Sequence, residues 1–220
     1  MAFESLLGND RLKQNLAESL AKKHISHFYL ISGPAGSGKH TLAQLLEYVS
    51  TVDEAEIAFV DEAYTVNLAL FEEGLSNPRT TFARTLLAMN GGAVISDDEK
   101  NTASLLCNAA IEARVIGLDK PAMSITGSGA HGIIATMPLY AVYRIRHLTK
   151  EQLRRATMLS YLVCTYIKEY SGKLSAFCGC AIAAGAGMAC ALCYLKGGGL
   201  REITYTLNNC CCSWLFFIYC

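Results

Sequence analysis

The sequence predicts a mainly α-helical protein, a bundle-like domain built round a buried helix of small residues and preceded by a short, incomplete α/β phosphate-loop fragment. Three observations carry this. Segments between residues 61 and 170 repeat apolar residues at the three- and four-residue spacing of helices packed on one side. From Leu174 to Leu195 the chain is uncharged, and Ala181, Ala183, Ala184, Gly185, Ala186, Gly187 and Ala189 would let a helix approach its neighbours backbone to backbone. Near the start, the apolar HFYLI runs into SGPAGSGKHT and then a helical LAQLL, the strand, Gly-rich loop and helix order of a phosphate-binding loop.

Composition bounds the function. The 220 residues carry 19 Lys+Arg against 19 Asp+Glu, so no basic excess points to nucleic acid or to an anionic membrane surface. The opening MAFESLLGNDRLK has an early acid and no apolar core, so no secretory signal is expected. The ten cysteines are then expected as thiols or metal ligands in a reducing cytoplasm. The uncharged run is long enough to cross a bilayer, but Ala, Gly and Cys outnumber its large apolar residues, so no membrane span is expected.

Taken in order, residues 9–23 place Leu12, Leu16 and Leu20 on one helical face, and His27 to Ile31 reads as a strand. The loop that follows fits GxxxxGK through Gly33, Gly38 and Lys39, but His40 stands where Ser or Thr would hold Mg²⁺, and Thr41 comes one place late. Residues 57–62 imitate an apolar strand ending in Asp61-Glu62, yet DEAYTVNLALFEEGL has helical period, with Ala63, Val66, Leu70 and Leu75 on one face and Glu72-Glu73 solvated. Asn77-Pro78 breaks that helix. Phe82 to Met89 is a short helix stopped by Gly91-Gly92, and Ser96 to Glu99 form a capping box for a long helix through Arg114. Cys107 within it reads as core.

Residues 124–132, SITGSGAHG, form a polar island in which three glycines, hydroxyls and His131 suit an anion-binding turn; a plain flexible loop is the alternative. Two helices follow, from Pro138 and from Leu148, the second capped by Thr149. Their Arg144, Arg146, Lys150, Arg154 and Arg155 are expected on a solvated face. Cys178 and Cys180 flank a glycine, where a thiolate can approach a metal unobstructed, while burial as small hydrophobes is the competing reading.

Two resemblances sharpen the picture. Through FESLLGNDRLKQNL and HFYLISGPAGSGKHTLAQLL, residues 1 to about 47 resemble the N-terminus of the delta-prime subunit of the bacterial DNA polymerase III clamp loader, an AAA+ family. That resemblance implies a DNA-replication partner, with ATP held at Gly33, Gly36, Gly38, Lys39 and Thr41. Through VNLALFEEGL, KNTASLLCNAAIEARVIG, MSITGSGAHGIIATMPLYAV and CGCAIAAGAG, about residues 50–208 resemble the serine dehydratase alpha-type family, nearest to its L-cysteine desulfidases. This resemblance implies an α-helical fold, a [4Fe-4S] cluster, and elimination of sulfide or water from a small L-amino acid to give pyruvate and ammonia. It places Cys180, then Cys178, as cluster ligands and Ser128, Gly129 and His131 in the substrate pocket; the catalytic base stays unassigned and a homo-oligomer stays open. The expected division is a 1–49 AAA+-like fragment, an incomplete helical domain at 50–208 and an aberrant Cys-rich tail at 209–220, in a composite or truncated chain. Adjacent Cys210, Cys211 and Cys212 cannot all face one cluster.

Overall fold

A computed structural model describes residues 39–171 and 178–219. The helices are α1 Lys39–Thr51, α2 Asp61–Ser76, α3 Phe82–Met89, α4 Glu99–Val115, α5 Gly129–Ile145, α6 Lys150–Ser171, α7 Ala186–Leu195 and α8 Leu200–Tyr219. A 3₁₀ turn, Ala58–Val60, precedes α2, and a π-helical turn, Cys180–Gly185, leads into α7.

The expected α/β fragment is not supported. Among the described residues there is no strand, only an isolated bridge between Ile125 and Ser128. The HFYLI strand, the helix at 9–23 and Gly33, Gly36 and Gly38 lie outside the described residues. Lys39 and Thr41 open α1, whose Leu42 and Val49 pack with Leu159, Val163, Cys190 and Ile203 of α6, α7 and α8. The apolar run before Asp61 is a 3₁₀ turn leading into a helix, because Asp61 and Glu62 belong in a first helical turn, where the helix dipole favours acids.

Helix ends follow local chemistry. The capping box resolves on Asp98, whose carboxylate accepts from Asn101 N at 2.9 Å. Thr149 caps α6 reciprocally with Gln152, at 3.2 and 2.8 Å. Helix α3 has no local cap; the Glu112 carboxylate of α4 accepts from the backbone N–H groups of Thr81, Phe82 and Ala83 at 2.9, 3.0 and 2.8 Å. Burial opposes the Glu112 charge, but these donors outweigh it and hold its carboxyl below the usual glutamate range.

Two helices share the centre. Helix α7 buries Ala186, Gly187, Cys190 and Ala191, and a Cβ at Gly187 would lie 2.4 Å from the Ser160 carbonyl oxygen of α6. That is the close approach expected of small residues. Helix α5 is more deeply enclosed, buried from His131 to Val142 apart from Ile134 and Tyr140, and it touches α2, α4, α6, α7 and the π turn. It begins at Gly129, nine residues before the Pro138 start expected from the sequence, and carries Pro138 inside it. The basic residues after α5 are not merely solvated: Arg154 pairs with Asp61 and Glu54 at 2.5 Å each, and Arg155 donates to the carbonyls of Val49 and Val52 at 2.6 and 3.2 Å.

Candidate functional site

Two segments distant in sequence meet at the start of α5. In the first, Ile125 and Ser128 exchange backbone hydrogen bonds of 3.2 and 3.0 Å, closing a two-residue turn in which Thr126 and Gly127 take φ of 53° and 79°. Ser128 then occupies the N-cap of α5 without a side-chain cap bond, so Gly129 and His131 belong to the first helical turn and not to a loop. In the second, Cys178 is exposed, and the amides of Ala181 and Ile182 both donate to its carbonyl, at 3.1 and 3.2 Å. The half-buried Cys180 opens the π turn. Such turns cost ladder regularity and recur at functional sites.

Gly179 joins the two. A Cβ there would lie 2.9 Å from His131 Nε2 and 3.5 Å from Lys168 Nζ, so only glycine lets the Cys-Gly-Cys turn rest on the imidazole. His131 is 6 % exposed. Burial first, then the charges of Lys168 and Arg114, push its pKa below the usual imidazole value, which keeps the ring neutral.

Thr126 orients that ring. Its Oγ1 lies 2.7 Å from the Ile125 carbonyl oxygen and 2.7 Å from His131 Nδ1, but a hydroxyl has one proton. With that proton on the carbonyl, Nδ1–H donates to Thr126 and Nε2 carries its lone pair toward Gly179. Asn67, fully buried on α2, holds both ends of the segment: it donates to Gly132 O and Thr136 Oγ1 at 3.3 and 3.0 Å and accepts from Met123 N at 3.0 Å.

The thiols around this point differ. Burial pushes the Cys107 thiol up to about 12 and the Cys164 thiol up to about 11, the latter although Thr126 and Lys168 pull the other way. Cys180 is raised by burial and then by Cys178 beside it, with Arg114 opposing. Cys107 is half-buried and packs against the core, as expected. A [4Fe-4S] cluster with an open iron needs three thiolates. Among the described residues no three His, Cys, Asp or Glu side chains are placed to hold a metal ion. The described donor set is a thiol pair, Cys178 and Cys180, which does not by itself fit the cluster.

The sequence model of the family described as serine dehydratase alpha chain matches residues 12–215. The chain belongs to that family. The match runs across residues 33–41 instead of starting after them, and the clamp-loader resemblance finds no support. Among curated proteins, a UPF0597 protein of Clostridium botulinum is 44 % identical over 171 residues, covering 76 % of this chain and 38 % of its own length. A UPF0597 protein of Aeromonas hydrophila is 40 % identical over 178 residues, covering 81 % and 41 %. One of Desulfotalea psychrophila is 35 % identical over 170 residues, covering 77 % and 39 %. The chain thus spans about two-fifths of the length of these relatives. No solved structure matches it.

Of the residues singled out in the sequence, Gly129, His131 and Cys180 come together here, with Ser128 and Cys178 beside them. Asn67, Arg114, Cys164 and Lys168 were missed. Lys168 left a trace: it sits one turn beyond Cys164 on the buried stripe of α6, where a charge breaks the apolar phase. Among the described residues no helix is long and apolar enough to cross a membrane.

Proposed function

We propose that this chain is the part of a cytoplasmic serine dehydratase-type lyase that receives a small L-amino acid, L-cysteine or L-serine, and removes sulfide or water to leave pyruvate and ammonia. The observation that carries the proposal is the seating of Gly179, between Cys178 and Cys180, on His131. It brings the SITGSGAHG and CGCAIAAG segments to one place.

In this reading Ser128, Gly129 and His131 line the pocket. The neutral His131, with Nδ1 held by Thr126, takes the α-proton at Nε2. Loss of that proton and of the β-substituent leaves an enamine, which water converts to pyruvate and ammonia. The [4Fe-4S] cluster implied by the family likeness would take thiolates from Cys180 and Cys178, a pair that does not complete its ligand set.

The test is iron and acid-labile sulfide content after anaerobic reconstitution, read beside pyruvate formation from L-cysteine and L-serine. Bound iron with turnover supports the reading, and His131→Gln is then expected to lower kcat about 100-fold or more with iron content unchanged. Iron-loaded protein that forms no pyruvate from either amino acid would sink it.

A further inference from the structure

The Cys-Gly-Cys turn sets one thiol in solvent and a second close behind it. Cys178 is exposed and Cys180 half-buried. Gly179 between them is in the right-handed helical region, with φ of −59° and ψ of −25°. That conformation folds the chain back, so the flanking Cα atoms stand about 5.5 Å apart, whereas an extended residue would hold them about 7 Å apart. The shorter spacing is where disulfides are most common, and the longer one is at the limit of their reach. Cys178 also acts on the Cys180 thiol directly, through charge and through a hydrogen bond.

The other described thiols are placed differently. Cys164 and Cys190 are buried, Cys107 packs half-buried against the core, and Cys193 is half-buried on α7 with its Sγ 2.4 Å from the Cβ position of Gly198. Among the described residues Cys178 is the one exposed cysteine. An oxidant arriving from solvent therefore meets Cys178 first and finds Cys180 next to it.

We infer that Cys178-Gly179-Cys180 is a site of reversible oxidation, at which a small organic disulfide such as oxidised glutathione links Cys178 to Cys180 and a thiol releases them. Cys178 gives its proton to solvent and attacks one sulfur of the small disulfide; a mixed disulfide forms, and the thiolate that leaves takes up a proton. The Cys180 thiolate then attacks the Cys178 sulfur, forms the bond between the two residues and expels the second small thiolate, which is protonated in turn. One protein dithiol is oxidised and one small disulfide is reduced to two thiols. Exposed disulfides are the readily reduced ones, so the reverse exchange is open to the same pool. The inference stands on the two thiols and not on the lyase reading; its consequence for that reading is that the oxidised turn offers a metal no thiolate.

The test treats the purified 220-residue chain, anaerobic and free of metal, with oxidised glutathione, alkylates the remaining thiols in denaturant and digests with trypsin. Tandem mass spectrometry then reads the peptide 174–196, which holds Cys178, Cys180, Cys190 and Cys193. The peptide is expected to lose two hydrogens, with Cys178 and Cys180 protected from alkylation and Cys190 and Cys193 alkylated, and dithiothreitol should restore all four thiols. Cys180→Ser should stop at the first step, with one glutathione held on Cys178. Cys178→Ser, at an exposed position, should keep the helical circular dichroism of the wild type and slow the reaction of this peptide at least tenfold. If Cys180→Ser does not fold, the linkage found in the wild type decides alone. A link between other cysteines, a Cys178 that stays open to alkylation, or a folded Cys180→Ser that traps no glutathione overturns the site. Each of those results leaves the lyase reading to its own test of iron and pyruvate.

Discussion

At the scale of single residues, the site depends on atoms that are missing. Gly179 is flanked by the two cysteines that drew attention in the sequence, yet the space over its Cα is filled by His131 and by the end of Lys168. A methyl group there meets a ring that Thr126 holds from behind, so His131 must tilt or the turn must lift. Gly179→Ala is expected to break the Thr126–His131 hydrogen bond and to lower turnover at least tenfold while changing global stability by less than about 1 kcal/mol. The measurement is the imidazole NMR signals beside the thermal midpoint. An unshifted His131 resonance would show that the contact is loose. His131 itself was legible in the sequence as a polar residue among glycines; its neutrality was not, because burial and two cations from other helices produce it.

At the scale of helices, the row of small residues was legible and its consequence is specific. Gly187 meets the Ser160 backbone, so Gly187→Ala overpacks the α6–α7 contact and is expected to cost about 1–3 kcal/mol despite the better helix propensity of alanine. Gly185 is the internal control: among the described residues its Cβ position has only the Cys180 carbonyl oxygen near it, at 3.4 Å, so Gly185→Ala should be neutral or stabilise by up to about 1 kcal/mol. Paired urea melts check both, and equal costs would show that small residues are interchangeable here. The early start of α5 escaped the sequence reading because Ser, Gly, Ala and His in succession carry no apolar period. What makes them helical is the tight turn at Thr126 and Gly127 and the clamp of Asn67 on Gly132.

At the scale of the whole molecule, ion pairs tie the segment between α1 and α2 to α6. The Arg154 guanidinium grips Asp61, at 3.0 Å through Nε and 2.5 Å through Nη2, and its hydrogen bonds hold the Asp61 carboxyl below the usual aspartate range. A carboxyl with a depressed folded-state pKa contributes fully above its unfolded value, 3.8, and loses that contribution as pH falls through the lower folded value. Asp61→Asn is therefore expected to cost about 1–2 kcal/mol at pH 7, a partly exposed pair lying between the surface and buried limits, and progressively less as pH is taken from 7 to below 3.8. Chemical melts across that range check it, and a cost independent of pH would assign the effect to packing. The same pair shows why the basic residues after α5 were misjudged. Their partners, Asp61, Glu54 and the carbonyls of Val49 and Val52, lie about a hundred residues earlier in the chain, and no local pattern announces them.

By itself the sequence determined the helical class, the positions of α2, α3, α4 and α6, and the two segments that carry the candidate chemistry. Each of these is written in short-range patterns of apolar period, caps and glycine. The tertiary structure alone decided that His131 rests on Gly179, that burial and the charges of Lys168 and Arg114 push its pKa down, and that α1 joins the same core as α6, α7 and α8. These depend on which helix faces pack together. Packing is settled by shape and burial summed over the whole chain, which no local stretch of residues records.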